Sequence, residues 1–252
     1  MKKEIVIALA GNANVGKSVI LNQLTGLNQI IGNWPGKTVE RAEGLLKYRG
    51  QSIRIVDLPG IYSLSAYCQE EIVFMEFIAF EKPDVVINVV DASNLERNLY
   101  LTIQLLEMHV PMVMALNQMD HARKKGIEVD ASMLSEALGI PVIETVGTRG
   151  KGLDELLNAA LQTAKVGTPP TARGYDLYGE KVLKYRPDIS KVADRICNIL
   201  MDSGTALLKS YHPLWIALKL IEGDSYFDQT AKKDPSFAKV YERIRFEVQS
   251  LQ

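Results

Sequence analysis

Gly11-Asn12-Ala13-Asn14-Val15-Gly16-Lys17-Ser18 fits the phosphate-loop pattern G-x-x-x-x-G-K-[ST], and its two flanks decide the fold. The apolar run Ile5-Val6-Ile7-Ala8-Leu9-Ala10 before it reads as a buried strand. After it, Val19, Ile20, Leu21 and Leu24 open a helical pattern that closes at Gly26. Strand, glycine loop and helix in that order are what a phosphate cradle needs. Gly11 and Gly16 let the loop turn its backbone N–H groups inward, with Asn12, Ala13, Asn14 and Val15 completing the wrap. The helix contributes its positive end, Lys17 a charge for the outer phosphates, and the Ser18 hydroxyl a ligand for Mg²⁺.

Working outward, 252 residues suit one large domain, or a medium domain with a smaller companion. The chain is 47% hydrophobic and 23% charged, and its formal net charge of −1 gives no electrostatic case for a nucleic-acid partner. The longest apolar stretches, such as Val85-Val86-Ile87 and Val113-Met114-Ala115-Leu116, are strand-sized, far short of the roughly 18 apolar residues of a membrane span. Met1-Lys2-Lys3-Glu4 runs straight into the first strand, so no signal peptide is expected. Cys68 and Cys197, far apart and without metal spacing, read as reduced cytosolic thiols.

Strands and helices alternate from residue 4 to about 165. Gly32-Asn33-Trp34-Pro35-Gly36-Lys37 reads as a loop, followed by a hairpin of Thr38 to Tyr48 and Ser52 to Asp57 around Arg49-Gly50. A helix opened by Gln69-Glu70-Glu71 carries Ile72, Val73, Met75, Phe77 and Ile78. Strands at Val85–Val90, Met112–Leu116 and Val142–Glu144 alternate with helices at Leu99–Met108, near Ser132–Leu138, and after Gly152. This pattern predicts an α/β fold of about six mostly parallel strands flanked by helices. Gly167-Thr168-Pro169-Pro170-Thr171 marks a domain edge, dividing the chain into 1–166 and 167–252. Beyond it the apolar spacing is helical only: Ile189 to Leu200, Leu214 to Ile221, and more weakly Val240, Ile244 and Val248. The second part therefore reads as a small all-helical domain, near neutral in charge.

Further stretches stand in the order required for a guanine nucleotide. Asp57-Leu58-Pro59-Gly60 ends a strand, where a carboxylate can hold Mg²⁺ through water and a glycine N–H can meet a γ-phosphate. Thr38, with Gly36, Lys37, Val39 and Glu40 around it, lies where a mobile segment could bring a hydroxyl to Mg²⁺ and the γ-phosphate; equally, a Thr there is a good strand opener. Asn117-Gln118-Met119-Asp120 follows a strand, where the Asp120 carboxylate can accept two hydrogen bonds from guanine that adenine cannot supply. Asn117 would tie that loop to the phosphate loop; the plain alternative for Asp120 is a helix N-cap. In Val146-Gly147-Thr148 a backbone N–H could meet guanine O6.

With these stretches in order the chain resembles P-loop GTPases of the translation-factor type, and one family more closely. The phosphate loop, Asn33-Trp34-Pro35-Gly36-Lys37-Thr38-Val39-Glu40, Asp57-Leu58-Pro59-Gly60-Ile61-Tyr62-Ser63-Leu64 and Val90-Asp91-Ala92-Ser93-Asn94-Leu95-Glu96-Arg97-Asn98-Leu99 are similar to the cytosolic G domain of the ferrous iron transport protein B family. So is His212-Pro213-Leu214-Trp215-Ile216-Ala217-Leu218-Lys219-Leu220-Ile221-Glu222-Gly223-Asp224 in the helical part. The resemblance implies GTP and GDP as ligands, GTP hydrolysis, and a helical module that inhibits GDP dissociation. It also implies a membrane portion carrying Fe²⁺ beyond Gln252, which would place this part on the cytoplasmic face of the cell membrane. A homo-oligomer is left open. Gln118 and Gly147-Thr148 depart from the residues usual in the family.

Many GTPases orient the attacking water with a Gln directly after D-x-x-G; here that position is Ile61, which implies slow intrinsic hydrolysis. In the family an Asn at the position of Asn14 is associated with K⁺, so Asn14 joins Lys17, Thr38 and Gly60 as an expected catalytic group; alternatively it only braces the loop. The expected metal ligands are Ser18, Thr38 and Asp57 for Mg²⁺, and Asn14 for K⁺. Trp34 reads either as a functional aromatic or as a packing anchor. Arg41 and Arg97 read as solvated arginines, and His109, His121 and His212 lack metal spacing. A soluble ribosome-assembly GTPase is the competing reading, but it needs a basic appendage that the helical part does not offer.

Overall fold

The computed structural model describes residues 4–26, 29–167 and 185–251. The first part contains strands β1 (Ile5–Gly11), β2 (Gln29–Asn33), β3 (Glu40–Tyr48), β4 (Gln51–Asp57), β5 (Val85–Asp91), β6 (Met112–Asn117) and β7 (Val142–Glu144). Its helices are α1 (Lys17–Thr25), α2 (Gln69–Glu76), α3 (Leu95–Glu107), α4 (Met119–Lys124), α5 (Ala131–Leu138) and α6 (Leu153–Val166). The strands form one sheet in the order β2-β3-β4-β1-β5-β6-β7. β1 lies in the middle, parallel to β4 and β5, with β6 and β7 continuing the parallel run. Among the described strands, β2–β3 and β3–β4 pair antiparallel.

Side-chain alternation along β1 explains the layers. Ile7 and Leu9 face a core shared with Ile53, Ile55 and Ile87, which α1 and α6 cover through Ile20, Leu21, Leu156 and Leu157. Ala8 and Ala10 face the opposite core, where Phe74 of α2 and Leu101 and Leu105 of α3 pack. A strand buried on both faces has no polar positions, which is why Ile5–Gly11 reads as a continuous apolar run.

Two elements depart from the expectation. The sheet has seven strands rather than about six, because part of the segment read as a loop is edge strand β2, with Gly32 opposite Arg41 and Asn33 opposite Glu40. Backbone pairing to β3 holds it; its Ile30 and Ile31 are 61% and 66% exposed, so no buried face marks it in the sequence. The helix read from Gln69 through Ile78 ends at Glu76 and widens into a π-turn over Phe77–Glu81, closed by Lys82 in a left-handed conformation ahead of Pro83.

The second part comprises α7 (Pro187–Ser203), α8 (Pro213–Ile221), α9 (Ser225–Lys233) and α10 (Pro235–Gln249). Helix α9 escaped the periodicity because it buries only Phe227 and Ala231; Asp224 caps its start by accepting from the Tyr226 N–H. Most of the proline-rich edge read at 167–171 lies outside the described residues. The helical part docks against the π-turn and the end of α3. Phe80 meets Tyr211 edge-on at 5.8 Å, His109 stacks on His212 at 3.7 Å, and Lys82 Nζ donates to the Lys209 carbonyl at 2.6 Å. Among the described residues no helix is long and apolar enough to cross a membrane.

That seam also buries charge. Glu107 is 6% exposed and accepts a 2.7 Å hydrogen bond from the Tyr185 hydroxyl. Burial first, with nearby Glu222 adding to it, pushes its carboxyl up to about 7 against the pull of the Tyr185 hydroxyl and Lys219. Lys219 is itself fully buried, pairing with Glu222 at 2.6 Å over the Trp215 ring. Because the folded pKa of Glu107 lies above its ordinary 4.5, the folded state binds the extra proton. Ionising it costs stability, at most about 3 kcal/mol, a cost that grows between the two values as pH rises and is complete above the folded one. Glu107→Gln, which keeps an acceptor for Tyr185, should therefore raise Tm near pH 8 and leave it almost unchanged near pH 5; an equal shift at both would contradict this.

Candidate nucleotide site

The loop between β1 and α1 is set by its own backbone. Val15 is buried beneath it, Asn14 is left-handed at φ 64° with an exposed side chain, and Gly16 sits at φ 95°. A Cβ on Gly16 would come within 2.6 Å of Asn117 Nδ2, so the close approach of the base-side loop requires glycine here. Lys17 is 8% exposed and lies under the loop, its Nζ 3.4 Å from the Gly11 carbonyl and 3.3 Å from that of Asn12. Burial lowers its pKa, and the Asp57 carboxylate opposes that shift. Asn12 is 2% exposed, and among the described residues neither polar atom of its side chain has a partner.

Asp57 ends β4, and its Oδ2 accepts from the Ser18 hydroxyl at 2.8 Å. Its other oxygen, Oδ1, is buried and has no partner among the described residues. Burial raises the carboxyl pKa, while Lys17 and the Ser18 hydrogen bond hold it down. An unpartnered carboxylate oxygen beside a hydroxyl is the hard oxygen donor set that suits Mg²⁺. Beyond it, Leu58 and Ile61 are buried in the core, so Ile61 has neither the chemistry nor the position to orient water. Pro59 carries the chain to Gly60, where a Cβ would stand 2.9 Å from Ala13 Cα and 3.1 Å from Lys17 Nζ. This loop thus rests directly on the phosphate loop.

The segment from Trp34 to Glu40 lies elsewhere. Trp34 is 9% exposed and packs edge-on against Phe77 at 5.4 Å, which makes it a packing anchor. Lys37 pairs with Glu76 at 2.8 Å, and the Thr38 hydroxyl donates to Gln69 at 3.3 Å. Val39 is buried and its carbonyl accepts from the Trp34 N–H at 2.9 Å; Gly36 and Glu40 are exposed. These contacts clamp the segment to α2, and among the described residues no hydrogen bond joins Thr38 to Ser18 or Asp57. The structure therefore brings together Lys17, Ser18, Asp57 and Gly60 but leaves Thr38 apart. Arg41 lies over the Trp34 ring at 4.8 Å and pairs with Glu43 at 2.8 Å, and Arg97 lies over Tyr62 at 4.2 Å.

On the base side, one side chain joins three loops. Asn117 Nδ2 donates to the Val15 carbonyl at 2.9 Å, and its Oδ1 accepts from the Gly147 N–H at 3.0 Å and the Thr145 hydroxyl at 3.2 Å. Gln118, left-handed at φ 60°, adds a second tie from Nε2 to the Asn14 carbonyl at 3.3 Å. Met119 is buried, and Asp120 lies within the first turn of α4 rather than capping it. Its carboxylate is 32% exposed and 3.9 Å from Arg149. Val146 is buried, Gly147 gives its N–H to Asn117, and Thr148 is exposed. Arg149 was not singled out in the sequence; a cation closing the last loop is the signal that could have found it.

The chain matches the family described as Ferrous iron transport protein B over residues 5–160 and the FeoB cytosolic helical domain over residues 185–251. It is 41% identical over 233 residues to the Fe(2+) transport protein A/Fe(2+) transporter FeoB fusion protein of Porphyromonas gingivalis, covering 92% of this chain and 26% of that protein. It is 40% identical over 228 residues to the Fe(2+) transporter FeoB of Escherichia coli K12, covering 89% and 28%. The chain thus spans about a quarter of the length of these curated relatives. The cytosolic domain of T. maritima FeoB in apo form overlays it with a TM-score of 0.80 at 32% identity, covering 98% of this chain and 97% of that one. A mutant of S. thermophilus NFeoB bound to GDP gives 0.81 at 36% identity, covering 98% and 90%.

Removing the Asn117 amide would leave the Val15 carbonyl and the Gly147 N–H, both buried, without their partner. Asn117→Ala should cost about 2–4 kcal/mol of stability in urea unfolding and weaken GDP and GTP alike. Retained stability with retained nucleotide affinity would show that the three loops are held by other means.

Proposed function

This chain belongs to the ferrous iron transport protein B family, and we propose that residues 1–166 form its GTP-binding domain and residues 167–252 its helical companion. The family's G domain is a GTPase, so the chemistry is hydrolysis of GTP to GDP and phosphate. The observation that carries the assignment of the site is the Asn117 junction, which gathers the phosphate loop and both base-side loops at the carboxyl ends of β1 and β6. Open α/β sheets bind ligands at that edge.

In this reading Gly11 to Ser18 wrap the phosphates, Lys17 sets its charge against the outer ones, and the Gly60 N–H meets the γ-phosphate. Asp120 accepts from guanine, with Gln118 and Met119 shaping its loop and Val146-Gly147-Thr148 closing over O6. Ser18 and Asp57 hold Mg²⁺, which when bound offsets charge developing on the phosphate oxygens. Gly36, Lys37, Thr38, Val39 and Glu40 join the site once the contacts to Gln69 and Glu76 are released. Ile61 being buried, acceleration must come from another group. Asn14 suits K⁺: the loop is braced by its backbone and by Gln118 on the Asn14 carbonyl, which leaves the exposed side chain for a cation.

The curated relatives are named as Fe(2+) transporters, and each is more than three times as long as this chain. On that ground we assign the chain to the cytoplasmic face of a membrane protein, where GTP turnover regulates or drives Fe(II) uptake through a membrane portion. The competing ribosome-assembly reading has no counterpart in the helical match over residues 185–251.

Asp120→Asn should lose its preference for guanine by at least about tenfold, read as GTP against ATP affinity; unchanged selectivity would overturn the base assignment. Hydrolysis should run faster in K⁺ than in Na⁺, and Asn14→Ala should erase the difference. Equal rates in the two salts would remove K⁺ from the mechanism. In cells carrying the whole gene, Asp120→Asn should lower Fe(II) uptake; normal uptake would separate GTP binding from transport.

A further inference from the structure

Between Gly60 and α2 the chain runs through Ile61 to Cys68 without regular structure. Part of it is held by the helix it enters: Glu71 accepts from the Ser63 hydroxyl and from the Tyr67 N–H, each at 2.9 Å. Its middle is held from outside. The buried Leu64 donates its N–H to Gln104 Oε1 at 2.7 Å, and Gln104, on α3, is 3% exposed.

One turn further along α3, on the same face, stands Glu107, which accepts from the Tyr185 hydroxyl at the entry to the helical part. The helix between is firmly seated: Leu101, Leu105 and Leu106 are fully buried, and Thr102 accepts from the Asn88 amide at 2.7 Å. One face of α3 therefore grips the loop after Asp57–Gly60 with one side chain and the helical part with another, three residues apart.

We propose that Gln104 is a positioning residue for GTP hydrolysis, and that α3 carries the docking of the helical part to the loop following Gly60 through the juxtaposed contacts Leu64–Gln104 and Glu107–Tyr185. Buried at 3% exposure, Gln104 acts through the loop rather than on the nucleotide itself. It sets where the loop lies when the Gly60 N–H meets a γ-phosphate, so this inference rests on the reading of Asp57–Gly60 given above.

The test uses Gln104→Met, which keeps length and volume but removes the acceptor. Its kcat should fall about tenfold while KM for GTP and the affinity for GDP change less than twofold. Tyr185→Phe should lower kcat about two- to threefold alone and add nothing to Gln104→Met, because both act along one path. A Gln104→Met protein that turns over at the wild-type rate, or one whose GDP affinity falls with kcat, would overturn the proposal; so would effects that multiply independently. Amide exchange at Leu64 keeps the question open to test should Gln104→Met not fold: Tyr185→Phe should speed it, and unchanged exchange would count against the link. Asp57→Ala separates the two readings. If it hydrolyses GTP normally, the site assignment fails; if it is inactive while Gln104→Met is normal, only this inference fails.

Discussion

Asn117 is the side chain on which the site depends. A carboxamide offers donors and acceptors from one planar group, and this one uses both sides, giving to the phosphate loop and receiving from the loop after β7. It is 3% exposed, so each bond forms where an unmet partner would be expensive. The glycine at position 16 follows from the same contact, since any Cβ there would strike the Asn117 amide. The loop between β1 and α1 and the loops after β6 and β7 are therefore not separate features of one sheet but one assembly.

Electrostatics around Asp57 follow a similar economy. Lys17 and Asp57 are both buried, and burial pushes each toward its neutral form, while each opposes the shift of the other. A carboxylate held this way favours nearby positive charge, because among the described residues its second oxygen has no partner. The segment carrying Thr38 is secured to α2 by a salt bridge and a hydrogen bond, and to the π-turn that follows it by an aromatic contact, so its position is bound up with those elements. The helical part is docked on the elements that follow the D-x-x-G loop, through the π-turn and the end of α3.

Much of this was legible in the residue order. Strands buried on both faces declare themselves as apolar runs, and the phosphate loop, Asp57–Gly60 and Asn117–Asp120 each sit at a strand end where the pattern placed them. The loss of a water-orienting Gln at Ile61 could also be read directly. Edge strand β2 could not be read, because its isoleucines are exposed and backbone pairing alone defines it. Helix α9 buries Phe227 and Ala231 alone, too few apolar positions to mark it in the sequence. Arg149 beside Asp120, and the choice of a packing role for Trp34, depend on neighbours distant in the chain.

The sequence by itself determined the fold class, the nucleotide motifs and the family, because each rests on local residue type, spacing and strand–helix order. Only the tertiary structure decided which groups meet. It placed Thr38 on Gln69 rather than beside Ser18, gave the Gly147 N–H to Asn117, and set Gln104 and Glu107 between the D-x-x-G loop and the helical part. Contacts between residues tens of positions apart are set by how the layers pack and by the need to satisfy buried polar groups, and neither is written in any one stretch of the chain.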